Sequence, residues 1–350
     1  MKSKIYNRYG MLGLEAFLAV LISLSLAAQP VRKVGPVGII VSDMNQALAF
    51  YTSVLPFEKV SDTEMYGTEY EKLTGVFGVR LRVVRLKLGE EQIDLVDYLT
   101  PGGRPNPPDT RSNDLWFQHL ALVVSDMDKA YAHLRQHNVQ HVSTGPQTIP
   151  ASNQAAAGVR AFYFRDPDGH NLELIYFPPG KGDPRWQQVH NRLFLGIDHT
   201  AIAVSNTANS LKFYQDLLGF AVKGESHNVG TEQAHLNNVP DAELHISGLR
   251  SGAGPGIEFL KYIQPRTGRP YPADARADDL FHWYTTVVVD NAGQALSRLR
   301  NAGYAVLSAE PVAIPNRALG VTKGFLARDP DGHALLITEQ DQPLTTQKTY

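Results

Sequence analysis

Apolar and polar positions repeat one pattern four times along the chain. An apolar run ends at a short polar pair, and residues at helical spacing follow. The run ending at Val41 meets Ser42-Asp43, after which Leu48, Tyr51 and Leu55 fall on one helical face. The run ending at Val204 meets Ser205-Asn206, and Leu211, Tyr214 and Leu218 repeat the spacing. Val124 precedes Ser125-Asp126, with Ala130 and Leu134 beyond, and Ala295 and Leu299 take that role in the last quarter. Ser, Asp and Asn carry the side-chain oxygens that cap a helix start. Alternation over 81–88 and 92–98 predicts strands. Asp-Pro-Asp-Gly at 166–169 and at 329–332 is turn chemistry, and each copy leads into a last strand, 171–177 and 334–339. Each quarter therefore reads as strand, helix and about three strands.

The halves also repeat each other residue by residue. Arg165 to His170 recurs identically as Arg328 to His333, and Tyr98 with Gly103-Arg104-Pro105 returns as Tyr262 with Gly268-Arg269-Pro270. Positions 36 and 199 match at an offset of 163, as do 166 and 329, which marks a duplicated domain. The expected layout is a leader over 1–27, a first domain over 33–179, a linker over 180–194, a second domain over 195–341 and a polar tail over 342–350. A Pro/Gly-rich break from Pro178 to Pro184 separates the domains.

Composition narrows the chemistry. A formal net charge of -2 gives no electrostatic reason to expect nucleic acid or an anionic membrane surface as partner. The absence of cysteine excludes thiolate metal sites, disulfides and cysteine nucleophiles. Lys2, Lys4 and Arg8 precede a largely apolar run from Met11 to Ala28 that ends in Ser25-Leu26-Ala27. This is the pattern of a cleavable secretory signal and predicts a periplasmic or secreted protein, with an uncleaved membrane anchor as the alternative.

The openings His119-x-Ala121-x-x-Val124-Ser125-Asp126 and His199-x-Ala201-x-x-Val204-Ser205-Asn206, with the closing Asp166-Pro167-Asp168-Gly169-His170-x-Leu172-Glu173-Leu174, resemble the vicinal oxygen chelate superfamily. That group includes glyoxalase I, methylmalonyl-CoA epimerase, type I extradiol dioxygenases and the bleomycin and fosfomycin resistance proteins. The resemblance implies an α+β fold of four βαβββ units. They form two tandem glyoxalase-like domains whose mixed sheets curl into cups, two quarters to a cup. Each cup would hold one divalent metal ion, Fe, Mn, Ni, Zn or Mg, on ligands from first and last strands.

Carried over, the first-strand position lies seven residues before the capping residue and falls on Pro36, His119, His199 and Trp283. The closing-strand position falls on Asp94, Glu173, Glu258 and Leu336. If quarter two faces quarter three, His119, Glu173, His199 and Glu258 form one complete site and the other site keeps only Asp94. If quarters pair within halves, the ligand set is Asp94, His119 and Glu173. Glu173 or Glu258 would double as a catalytic base. His282 needs a bulge to reach the ligand face, since a shift of one residue turns a strand side chain to the other side. His170 and His333 read as turn residues, and Arg104 and Arg269 as loop residues or a pocket mouth. Tyr284, Trp283 and His245 line pockets or pack.

The resemblance implies a divalent-metal enzyme of the glyoxalase, isomerase or epimerase kind, acting on a small oxygen-chelating substrate as monomer or homodimer. The alternatives are an extradiol dioxygenase, which loss of ligands in the second half disfavours, and a metal-free protein that binds or sequesters a small molecule.

Overall fold

The computed structural model describes residues 31–188 and 191–340. The expected leader and polar tail lie outside them. Among the described residues no helix is long and apolar enough to cross a membrane.

The first quarter contains β1 (Lys33–Val41), α1 (Met44–Ala49), β2 (Glu58–Tyr66), α2 (Thr68–Thr74), β3 (Arg80–Leu88) and β4 (Glu91–Thr100). The second contains β5 (Gln118–Val124), α3 (Met127–Gln136), the short β6 (Gln140–His141) and β7 (Gln147–Thr148), then β8 (Arg160–Arg165) and β9 (Asn171–Tyr176). The third repeats the first as β10 (Phe194–Ala203), α4 (Thr207–Leu211), β11 (Ala221–Asn228), α5 (Thr231–Asn237), β12 (Glu243–Arg250) and β13 (Gly256–Gln264). The fourth repeats the second as β14 (Trp283–Val289), α6 (Ala292–Asn301), β15 (Val312–Ala313), β16 (Lys323–Arg328) and β17 (Ala334–Glu339). The expected three closing strands are full length only in quarters one and three, each of which adds a short helix. In quarters two and four the outermost strand shrinks to two-residue pieces.

The polar pairs cap the helices. Asp43, Asp126, Asn206 and Asn291 each accept hydrogen bonds from amides of the first turn that follows.

Two sheets carry the architecture, and both run across the sequence halves. One has the order β15-β16-β17-β14-β1-β4-β3-β2, the other β11-β12-β13-β10-β5-β9-β8-β6, with β7 beside β8. Quarter four thus joins quarter one, and quarter two joins quarter three, through antiparallel seams β1–β14 and β5–β10. Two hydrophobic clusters draw mainly on one half each, with Phe194, Ile197 and Trp283 joining the first and Val31 and Val34 the second, while two others mix the halves. Met44 and Tyr51 pack in one cluster with Met127, Leu134 and Phe162, while Phe213, Tyr214 and Phe259 share another with Ala292, Leu299 and Phe325.

The duplicated turns join the two quarters of each half. Asp166 accepts from the amides of Asp168 and His170 and from the Tyr51 hydroxyl, and Asp329 does the same with Asp331, His333 and Tyr214. His170 and His333 are accordingly buried turn residues. The Gly-Arg-Pro loops strap one half to the other. Arg104 is held by Asp279 and Asp274, and Arg269 by Asp114 and Asp109. A Cβ at Gly103 or Gly268 would collide with the carbonyl of Asp278 or Asn113, so glycine is required at both crossings.

Candidate metal centre

Strand register brings four chemical groups to one hollow. Across the β5–β10 seam His119 lies opposite Ala201 and His199 opposite Ala121. In the parallel pairs that flank the seam, Ala121 lies beside Glu173 and Ala201 beside Glu258. Alternation then places His119, His199, Glu173 and Glu258 on one face. Ala121 and Ala201, both fully buried, leave room among them.

The side chains converge. His119 Nε2 lies 3.4 Å from His199 Nε2. Glu173 Oε2 is 3.1 Å from His119 Nε2 and 3.5 Å from His199 Nε2, and Glu258 Oε2 is 3.4 Å from His199 Nε2. His119, Glu173 and His199 are buried, while the Glu258 side chain is 28% exposed. Burial alone would raise the Glu173 carboxyl, yet the two imidazoles hold it down at about 2. Burial alone would lower His199, yet Glu258, Asp198 and Glu173 raise it to about 10. A cavity of about 170 Å³ opens over the group, walled by Ile149, Tyr163, Ile175, Phe177 and Leu260.

His199 is held by its other nitrogen. Nδ1 lies 3.0 Å from Asp198 Oδ2, and Asp198 accepts from Trp186 Nε1 and from the Arg250 guanidinium. A carboxylate behind Nδ1 holds the proton there, so Nε2 is the nitrogen that would give up its proton to a metal ion and become the ligand atom. For His119 Nδ1, no partner is found among the described residues.

The group fits a divalent ion. Ligand atoms of His119, Glu173 and His199 all lie within 4.8 Å of one another, and imidazole with carboxylate is a donor set that divalent first-row metals accept. Glu258, the fourth residue expected from the crossed pairing, stands beside this group of three, with Oε2 3.4 Å from His199 Nε2. The alternative set is not assembled, because Asp94 lies on β4 in the other sheet.

The model of the "Glyoxalase/Bleomycin resistance protein/Dioxygenase superfamily" matches residues 33–174 and again 196–337. The chain belongs to that superfamily. It is 33% identical over 159 residues to "2-epi-5-epi-valiolone epimerase" of Actinomyces sp, an alignment spanning 44% of this chain and 83% of that protein. It is 30% identical over 145 residues to "Uncharacterized protein YaeR" of Escherichia coli (strain K12), spanning 41% and 95%. Its fold is similar to that of glyoxalase I from Zea mays, with a TM-score of 0.56 at 16% identity, covering 89% of this chain and 92% of that one.

In the second cup, formed by quarters one and four, Asp94 is the one carboxylate at the equivalent positions, and the residue expected for quarter four is displaced by one. Gly38 lies opposite Tyr284 as Ala201 lies opposite His119, so the residue equivalent to His119 is Tyr284 and not Trp283. The cap of α6 is Asn291 rather than Asp290, which moves the count by one residue. Trp283 instead packs into the core of the first half against His170. His282, two residues before Tyr284, shares its face without any bulge. Both side chains line the second cup. Pro36 and Leu336 stand where His199 and Glu173 stand in the first cup, and Asp94 stands where Glu258 does. The Asp94 carboxylate is taken by Arg85, with both contacts at 2.8 Å. The residue equivalent to Arg85 beside Glu258 is Gly248. Arg85, Gly248, Asp198 and Arg250 were not singled out by sequence reasoning. His245 remains on β12, beside Glu225.

Proposed function

We propose that this protein is an exported, divalent-metal-dependent enzyme of the isomerase, epimerase or lyase kind, acting on a small substrate that chelates through neighbouring oxygens. The observation that carries the reading is the convergence of His119 Nε2, His199 Nε2, Glu173 Oε2 and Glu258 Oε2 under one cavity. These four residues would hold the ion. When bound, a divalent ion supplies Lewis acidity that stabilises oxyanion charge developing on a substrate oxygen.

The chain's own groups divide the remaining work. Glu173 is buried between two imidazoles, which keeps it ionised and fixed. Glu258 is the most exposed of the four side chains and contacts only His199 among them, so it is the carboxylate placed to take and return a substrate proton. Ile149, Ile175, Phe177 and Leu260 give the cavity beside it an apolar side for the substrate to rest on. Similarity to a protein named as an epimerase supports proton-transfer chemistry of this kind.

Elemental analysis of the purified chain tests the centre. One divalent ion per chain is expected, lost in His199→Ala and kept in Asp94→Asn. Absence of metal in every form, even after loading with manganese, nickel, zinc or ferrous iron, would overturn the reading. Glu258→Gln is expected to lower turnover of an active substrate by about 10²–10⁴-fold. The basic, apolar N-terminus supports export, and recovery of the expressed full chain in the cytosolic fraction would overturn that part.

A further inference from the structure

The second cup is a hollow of about 270 Å³ that the proposed metal chemistry does not use. Its ligand positions hold Pro36, Tyr284 and Leu336, and its one carboxylate, Asp94, is neutralised by Arg85. The pair is well buried, at 11% and 5% side-chain exposure, so the interior carries an internally compensated charge. Val83, Leu326 and Leu336 form apolar wall, while Tyr98, Tyr284 and His282 bring polar atoms to it.

His282 is the feature that points to an occupant. It is 1% exposed, lines the hollow, and for neither ring nitrogen is a hydrogen-bond partner found among the described residues. A buried imidazole with both nitrogens unpaired is costly, and such groups in folded proteins are normally satisfied by protein, water or ligand.

We propose that the second cup is a metal-independent binding site for an uncharged organic molecule of one or two fused rings bearing a hydroxyl or carbonyl group. The size follows from volume, since a dry cavity of about 150 Å³ takes benzene. The lack of charge follows from the buried Arg85–Asp94 pair, which compensates itself in the interior; Lys33, the other charged residue of the lining, is an exposed residue that water already solvates. The polar substituent follows from His282, whose neutral ring presents one donor and one acceptor. The apolar walls hold the rest of the molecule. This site stands apart from the metal reading, because the two cups belong to different sheets.

Fluorescence titration of the full chain with 2-naphthol in the presence of EDTA tests the proposal. One molecule is expected to bind per chain, with equal affinity in His199→Ala. Val83→Phe and Leu336→Phe narrow the hollow from two walls, and each is expected to weaken binding by about tenfold or more. His282→Phe is expected to weaken it by about fivefold. Circular dichroism and thermal denaturation serve as the check on folding, and either filled variant that passes it suffices. No binding at millimolar 2-naphthol, loss of binding in His199→Ala, or unchanged affinity in a folded filled variant would overturn the proposal. Unchanged affinity in His282→Phe would overturn the assignment of the polar group.

Discussion

Four equivalent strand positions face the hollow of each cup. In one cup they hold His119, Glu173, His199 and Glu258. In the other the same positions hold Tyr284, Leu336, Pro36 and Asp94. The backbone register is shared, so the contrast isolates what side chains contribute. A buried carboxylate must be compensated. Around Glu173 that is done by two imidazoles, which leave ligand atoms converging on open space. Around Asp94 it is done by Arg85, a cation fixed covalently to the next strand. The glycine at the matching place, Gly248, leaves Glu258 without such a partner. Whether a cup presents ligand atoms therefore depends on a neighbouring strand as much as on the ligand positions themselves.

The largest expected effect comes from breaking the second cup's pair. Arg85→Leu leaves Asp94 buried and uncompensated, and chemical denaturation should show a loss of about 3–5 kcal/mol. Most of it should return in the Arg85→Leu/Asp94→Leu double variant, which removes both charges. Next is a transplant in the other direction. Gly248→Arg puts the second cup's cation beside Glu258, where a Cβ meets nothing nearer than 3.7 Å. Competition with a chelating dye should show metal affinity lowered by about 100-fold at unchanged fold. Asp198→Asn removes the carboxylate that orients His199, and the same titration should show a loss of about tenfold.

The smallest effect concerns His282, which burial holds down at about 3 from an ordinary 6.5, aided by Arg328 and opposed by Asp279. A lowered folded value means the unfolded chain binds the proton first as pH falls. Stability from a neutral His282 is then full above 6.5 and drains away toward 3. Between pH 6.5 and 5.5, above the range in which ordinary carboxylates titrate, the contribution lost is about 1 kcal/mol. His282→Phe should flatten that segment of a pH–stability curve, and an unaltered slope would show that His282 does not titrate this way.

The fold and the convergence of His119, Glu173, His199 and Glu258 were legible because their signals are local. A capping residue fixes the start of each helix, a Pro-Asp-Gly turn fixes the start of each last strand, and the ligand positions are counted from these. The same local counting failed at Trp283, where Asp290 and Asn291 can both cap. Matching Asp290-Asn291 to Ser125-Asp126 would have found Tyr284. The strands β2 and β11 were unreadable for a different reason. They lie at sheet edges, mostly exposed, so their sequences carry little apolar alternation. Arg85 opposite Asp94 and Asp198 behind His199 depend on register between strands and on contacts across the fold. Trp186, which reaches Asp198 from the segment between the two matched regions, is of that kind.

Cups that cross the halves also fix how the two copies relate as heritable units. A chain made of two first halves would set His119 and Glu173 against Pro36 and Asp94 in both cups. A chain made of two second halves would set His199 and Glu258 against Tyr284 and Leu336. Neither doubled chain contains the four-residue set, although each would preserve the strand order. The two repeats are complementary rather than interchangeable, so an exchange that doubled either one would erase the candidate metal centre while leaving the scaffold's strand order.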